Sequence, residues 1–278
     1  MTATSTTLLS YPLPRERNLI LASLLLLAGA AWALLIWQAT TLEMNHGEMS
    51  LTMGMAAPLF LALWVAMMVA IMFPTAAPMI LMFARIQSKK EADGKPFVPT
   101  WVFVSAYILV WSATGIAAYG VAILGEALAE QSGWIMHNAS RIGGGVLIVS
   151  GVYQLSPLKY VCLNKCRSPF SFILQSWRDG TGGSFRMGVE HAAYCLGCCW
   201  VLFAILFPLG MMNVAAMGVI TIVIFAEKST PIGHRVAQLA AVGLIAYGAL
   251  VVFIPGALPT FMMDGAMASD MSGMTDGK

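Results

Sequence analysis

Charge is what this sequence has least of. Only 10% of its 278 residues are Asp, Glu, Lys or Arg, against about 25% in a soluble domain. With 59% hydrophobic residues and a mean hydropathy of +0.78, the chain is composed for lipid as its solvent. It also has no Lys/Arg tract, which argues against a nucleic-acid partner. No segment alternates apolar and polar residues at period two, so a membrane β-barrel is excluded. There is no Gly-rich loop ending in Gly-Lys and no phosphorylatable aspartate motif, so ATP-driven pumping is excluded as well. What remains is an all-α, polytopic membrane helix bundle in a single domain over residues 1–278.

The apolar runs approach the roughly 20 residues that a helix needs to cross a bilayer. Residues 19–37, 57–84, 100–124, 142–155, 187–206, 211–226 and 236–254 give about seven spans. The first continues past the cleavage-like Ala28-Gly29-Ala30 and reads as an uncleaved helix, not a signal peptide. The second carries Pro74 and Pro78, which membrane helices tolerate. The fifth and sixth, joined by Phe207-Pro208-Leu209-Gly210, could instead be a re-entrant hairpin, which returns the chain to the side it left. Residues 156–188 read as a polar loop with a turn at Asp179-Gly180-Thr181-Gly182-Gly183. Basic residues collect on the cytoplasmic side. A cytoplasmic N-terminus and a periplasmic C-terminus put all 15 Lys and Arg except Arg141 and Lys278 inside. The location expected is a bacterial inner membrane.

Sulfur then sorts by side. The chain has 20 Met and only 5 Cys and 4 His. The outer loop 43–55 holds Met44, His46, Met49, Met53 and Met55, and the outer tail 256–278 holds five more Met. Closely spaced thioethers without competing Lys suit a soft monovalent cation such as Cu(I). In the second span, Met68, Met72, Met79 and Met82 fall within about 80° of helical arc, beside Met67. Methionine also fills gaps between helices, so packing competes with ligation there. In HAAYCLGCCW, residues 191–200, the side chains of His191, Cys195, Cys198 and Cys199 share about 100° of arc in the inner half of the bilayer. Thiolates with an imidazole bind Cu(I), zinc or iron. Cys162 and Cys166 lie four apart on the inner side, on one face if that segment is helical. All five cysteines are placed where thiols stay reduced, so no disulfide framework is expected. Polar residues elsewhere read as structural: Glu126, His137, Asn138 and Arg141 as a rim cluster, Asn213 as a partner for hinge backbone, and His234 with Arg235 as an interfacial pair.

The stretches WVAMMVAIMFPTAAPM, GVYQLSPLKYVCLNKCRSP and HAAYCLGCCW, followed by GMMN, resemble a bacterial family of predicted metal-binding integral membrane proteins, a domain-of-unknown-function family. The resemblance spans about residues 57–228. It implies a polytopic inner-membrane fold with Met67, Met68, Met72, Cys162, Cys166, His191, Cys195, Cys198 and Cys199 as candidate ligands. One departure is Ile71, where the family usually carries a second Met next to Met72.

The reading that unites these features is a soft-metal protein for copper(I), with zinc or iron as alternatives, acting in transport or delivery. Its candidate metal residues are His191, Cys195, Cys198, Cys199, Cys162, Cys166, Met67, Met68, Met72, His46, Met49 and Met53. The implied partners are the lipid bilayer and a membrane metalloenzyme or periplasmic copper protein. Two other classes compete. A quinone-linked thiol–disulfide oxidoreductase would use Cys195/Cys198, but its thiols would face the wrong side for exported proteins. A scaffold subunit of a membrane complex would use the cysteines only for packing. Binding is favoured over catalysis.

Overall fold

The computed structural model describes residues 14–42, 51–52, 54–211 and 213–258. His46, Met49, Met53 and the Met-rich tail lie outside these residues. The described residues are helical throughout, without strands. The helices are α1 (Pro14–Leu42), α2 (Ala57–Ala92), α3 (Thr100–Gln131), α4 (Gly133–His137), α5 (Ala139–Gln154), α6 (Pro157–Arg167), α7 (Pro169–Ser176), α8 (Gly180–Ala204), α9 (Leu206–Leu209), α10 (Val214–Ser229) and α11 (Gly233–Phe253).

Each of the seven apolar runs became a helix, but length separates them. Among the described residues, five helical segments are long and apolar enough to cross a membrane: α1, α2, α3, α8 with α9, and α11. A sixth is obtained only if α5 and α6, bent by 63° at their junction, count as one span. The sixth apolar run, α10, has 16 residues. It rises about 24 Å, short of a hydrocarbon core of about 30 Å. The supposed loop 156–188 is also mostly helix. Ser156 caps α6 by accepting from Lys159 N at 3.2 Å, and Pro157 follows at its first turn. Pro169 starts α7 in the same way. The glycine-rich stretch is the first turn of α8, with Asp179 at its N-cap and Gly180 at φ 78°.

The bundle has two packing regimes. α2 and α8 both pack on α3, α1 covers α2, and α6 lies on α8. Opposite them α5 and α11 pair along their length. There a Cβ on Gly248 would meet Gly144 O at 2.7 Å, and one on Gly144 would meet Gly248 O at 2.8 Å. Small residues let two helix backbones touch in this way. The outer surface stays apolar: Leu26 and Leu239 are each 73% exposed, as suits a chain solvated by lipid. Pro74 and Pro78 do not break α2, which runs 36 residues.

Polar contacts tie the helix ends and loops. Ser88 of α2 donates to Glu16 of α1 at 3.1 Å. Glu126 accepts from Thr52 N at 2.7 Å, so it serves the loop before α2, while Arg141 and Asn138 bond each other at 3.0 Å. Asn213 accepts from Ala216 N at 3.0 Å and donates to Leu209 O at 3.1 Å, closing the hinge as expected. His234 packs its ring on Tyr160 at 4.9 Å.

Candidate metal centre

The centre forms where α2, α6 and α8 meet α3 and α10. Met72 is fully buried on α2, in the turn before Pro74, and the Thr75 hydroxyl donates to its carbonyl at 3.0 Å. Cys195 of α8 places its Sγ 3.9 Å from Met72 Sδ. One turn on, Cys198 Sγ lies 3.2 Å from Cys199 Sγ and 3.9 Å from Cys166 Sγ of α6. Cys198 Sγ also donates to the Cys195 carbonyl at 3.1 Å. Three ligands around one ion at metal–sulfur distances of about 2.3 Å stand about 4 Å apart. The contacts to Cys166 and Met72 are therefore close to the spacing of bound sulfur. All five cysteines are free.

α6 reaches α8 because position 197 is glycine: a Cβ there would lie 2.6 Å from Cys162 Sγ. That same contact removes Cys162 from the centre. It packs against Gly197, while Cys166, one turn further on, meets Cys198. The shared helical face is real, but only one of its two thiols joins the other sulfurs.

His191 is placed apart. It is 3% exposed and its ring lies among Phe103 at 6.0 Å, Tyr107 at 5.6 Å and Phe172 at 5.5 Å, with Nδ1 lacking a hydrogen-bond partner. A helical wheel discards the axial rise, and His191 to Cys199 covers about 12 Å of it. Among the described residues, no three His, Cys, Asp or Glu side chains are set to hold a metal ion together. The four-residue sphere drawn on the wheel is thus not assembled as placed, and the thiols themselves meet in pairs, Cys198 with Cys199 and Cys198 with Cys166. Met72 supplies a sulfur from another helix. Met68 is fully buried in the core, and Met67 lines a cavity elsewhere.

Two groups at the centre were not singled out in the sequence. Lys228, near the end of α10, sets its ammonium 3.0 Å from Cys195 Sγ and 4.0 Å from Met72 Sδ. Tyr107 of α3 shares a hydrogen bond with Cys195 at 3.0 Å. In the sequence, Lys228 is one of the basic residues that place the inner side of the chain. Nothing in its local pattern separates it from the other basic residues at helix ends.

The residue next to it behaves differently. Glu227 pairs with Lys159 of α6 at 2.7 Å, and both side chains are essentially inaccessible. The centre is therefore a run of thiols and one thioether, closed by a phenol and an ammonium, beside a buried ion pair whose Glu227 Oε1 has no hydrogen-bond partner among the described residues. Neutral thioethers and ionisable thiols are donors for a soft ion such as Cu(I).

No curated protein and no solved structure matches the chain. A family model described as copper chaperone, PpoB2, matches residues 61–251, and the chain belongs to that family.

Proposed function

We propose that this protein is a membrane copper chaperone that holds Cu(I) on Met72 and the thiols of Cys195, Cys198, Cys199 and Cys166. The observation that carries it is the 3.9 Å approach of Met72 Sδ to Cys195 Sγ, deep between α2 and α8. Two residues 123 positions apart bring unlike sulfurs together where aliphatic side chains would pack as well. The copper chaperone family supports the choice of metal.

Charge balance assigns Lys228 a part. Cu(I) on two thiolates carries one net negative charge, which is costly in an apolar interior unless paired. The ammonium beside Cys195 offsets it. Thiols must lose their protons to bind, so affinity rises with pH.

In this reading the N-terminus is cytoplasmic, the membrane is a bacterial inner membrane, and the Met-rich loop 43–55 and tail collect the ion outside. Met67 and Met68 stand along its way to Met72, and His191 orders the aromatic wall beneath the thiols. The recipient is a membrane metalloenzyme or a periplasmic copper protein. The test is metal analysis of the purified full chain after anaerobic Cu(I) loading, wild type beside Cys195→Ser/Cys198→Ser. Loss of one bound copper in the variant is expected, and equal copper in both would refute the assignment.

A further inference from the structure

We propose a second soft-metal site, a thioether pocket formed by Met55, Met67, Met211 and Met217, that takes a single Cu(I) or Ag(I) ion. These four residues come from the turn before α2, from α2 itself, from the hinge after α9 and from α10, so no single amphipathic stripe accounts for their meeting. With Phe60 and Trp64 among the lining residues, they enclose a cavity of about 10 Å³, room for one small ion or water.

The wall decides what can occupy it. Among the described residues, every lining side chain is apolar except for the Trp64 indole N–H, which is already committed to Trp111 O at 3.1 Å and Thr114 Oγ1 at 3.3 Å. A water needs two to four polar partners, and no free polar side chain among the described lining residues supplies one. Hard cations require oxygen ligands and are excluded for the same reason. Thioethers bind soft monovalent ions without losing a proton, and ring faces such as those of Phe60 and Trp64 attract cations. Methionine is the side chain that adapts to fill gaps, yet four of them leave this one open. The turn that carries Met55 is tied to α3. Glu126 is held by the N–H and hydroxyl of Thr52 at 2.7 and 3.0 Å, and Met55 N donates to Thr52 O at 3.1 Å.

Met67 precedes Met72 by five residues, about 7.5 Å along α2. The pocket therefore lies about a turn and a half from the thiol centre, on the side toward loop 43–55. It holds the ion before thiols do, and it needs no thiol to bind.

The site is tested with the full chain in nanodiscs, labelled at the methionine methyl carbons and titrated anaerobically with Ag(I). One sample carries Ser at Cys162, Cys166, Cys195, Cys198 and Cys199, and a second is wild type in case the first does not fold. The methyl resonances of Met55, Met67, Met211 and Met217 are expected to shift together and saturate together in both. Met217→Leu, which keeps the volume, should weaken the response of the other three roughly tenfold or more. The pocket is overturned if only other methionines respond, or if Met217→Leu leaves its three neighbours responding as before. Because the thiol-free chain reports on the pocket alone, a failure here leaves the thiol centre standing, and the converse also holds.

Discussion

Lys159 and Lys228 are approached by neighbouring stretches of the bundle, yet they meet opposite chemistry. Lys159 is fully buried against the Glu227 carboxylate at 2.7 Å. Lys228, one residue beyond Glu227, lies 3.0 Å from the Cys195 thiol. The first is a buried ion pair, its two charges matched inside the protein although Glu227 Oε1 has no hydrogen-bond partner among the described residues. The second is an ammonium set against sulfur, a weak acceptor until it ionises. A charge-matched pair holds α6 to α10 and is already neutral as a unit. An ammonium beside ionisable thiols leaves negative charge to be gained, and that suits a site meant to fill and empty.

The contrast breaks most sharply at Glu227. Glu227→Ala should destabilise the protein by about 3–5 kcal/mol, because a buried Lys159 is left without its counter-charge. Lys159→Met/Glu227→Leu should recover most of that loss, since apolar replacement of a buried pair is often neutral or better. Unfolding in detergent measures both. A Glu227→Ala variant as stable as wild type would mean that the pair does not hold α6 to α10.

Lys228→Met should do the reverse, sparing the fold and weakening the site. Removing a charge that supports metal ligands costs about 10–100-fold in affinity. Competition with a coloured Cu(I) chelator reads that loss directly, and an unchanged affinity would remove Lys228 from the centre.

The helices and the link to copper were legible in the sequence, because both rest on composition and on residues close in the chain. Each apolar run folded as a helix, and sulfur at residues 195–199 pointed to soft metal. The prolines at 157 and 169 were helix starts read as loop, since a polar run with glycines masks first-turn proline. Tertiary partners were not legible. Met72 meets Cys195 only after α2 and α8 pack on α3, and Cys162 leaves the group because Gly197 admits α6 so closely. Lys228 was hidden by the very rule that explained it as an anchor.

The third lysine pair, at the surface, sharpens the comparison by its weakness. Lys90 bonds Asp179 at the N-cap of α8, where Asp179 also accepts from Trp177 Nε1 at 3.0 Å. The Lys90 hydrogen bond, and then that of Trp177, lower the Asp179 pKa below its ordinary 3.8. A lowered acid stabilises the fold in full above its unfolded value, about pH 4, and loses that stabilisation as pH falls through the lowered value. Asp179 is well exposed, so solvent screens the pair and little stability is at stake. Asp179→Asn should therefore leave Tm at pH 7 almost unchanged and flatten the decline of Tm below pH 4 slightly. A large drop in Tm at pH 7 would mean that the N-cap of α8, and with it the placing of the cysteines, depends on this surface carboxylate more than its exposure allows.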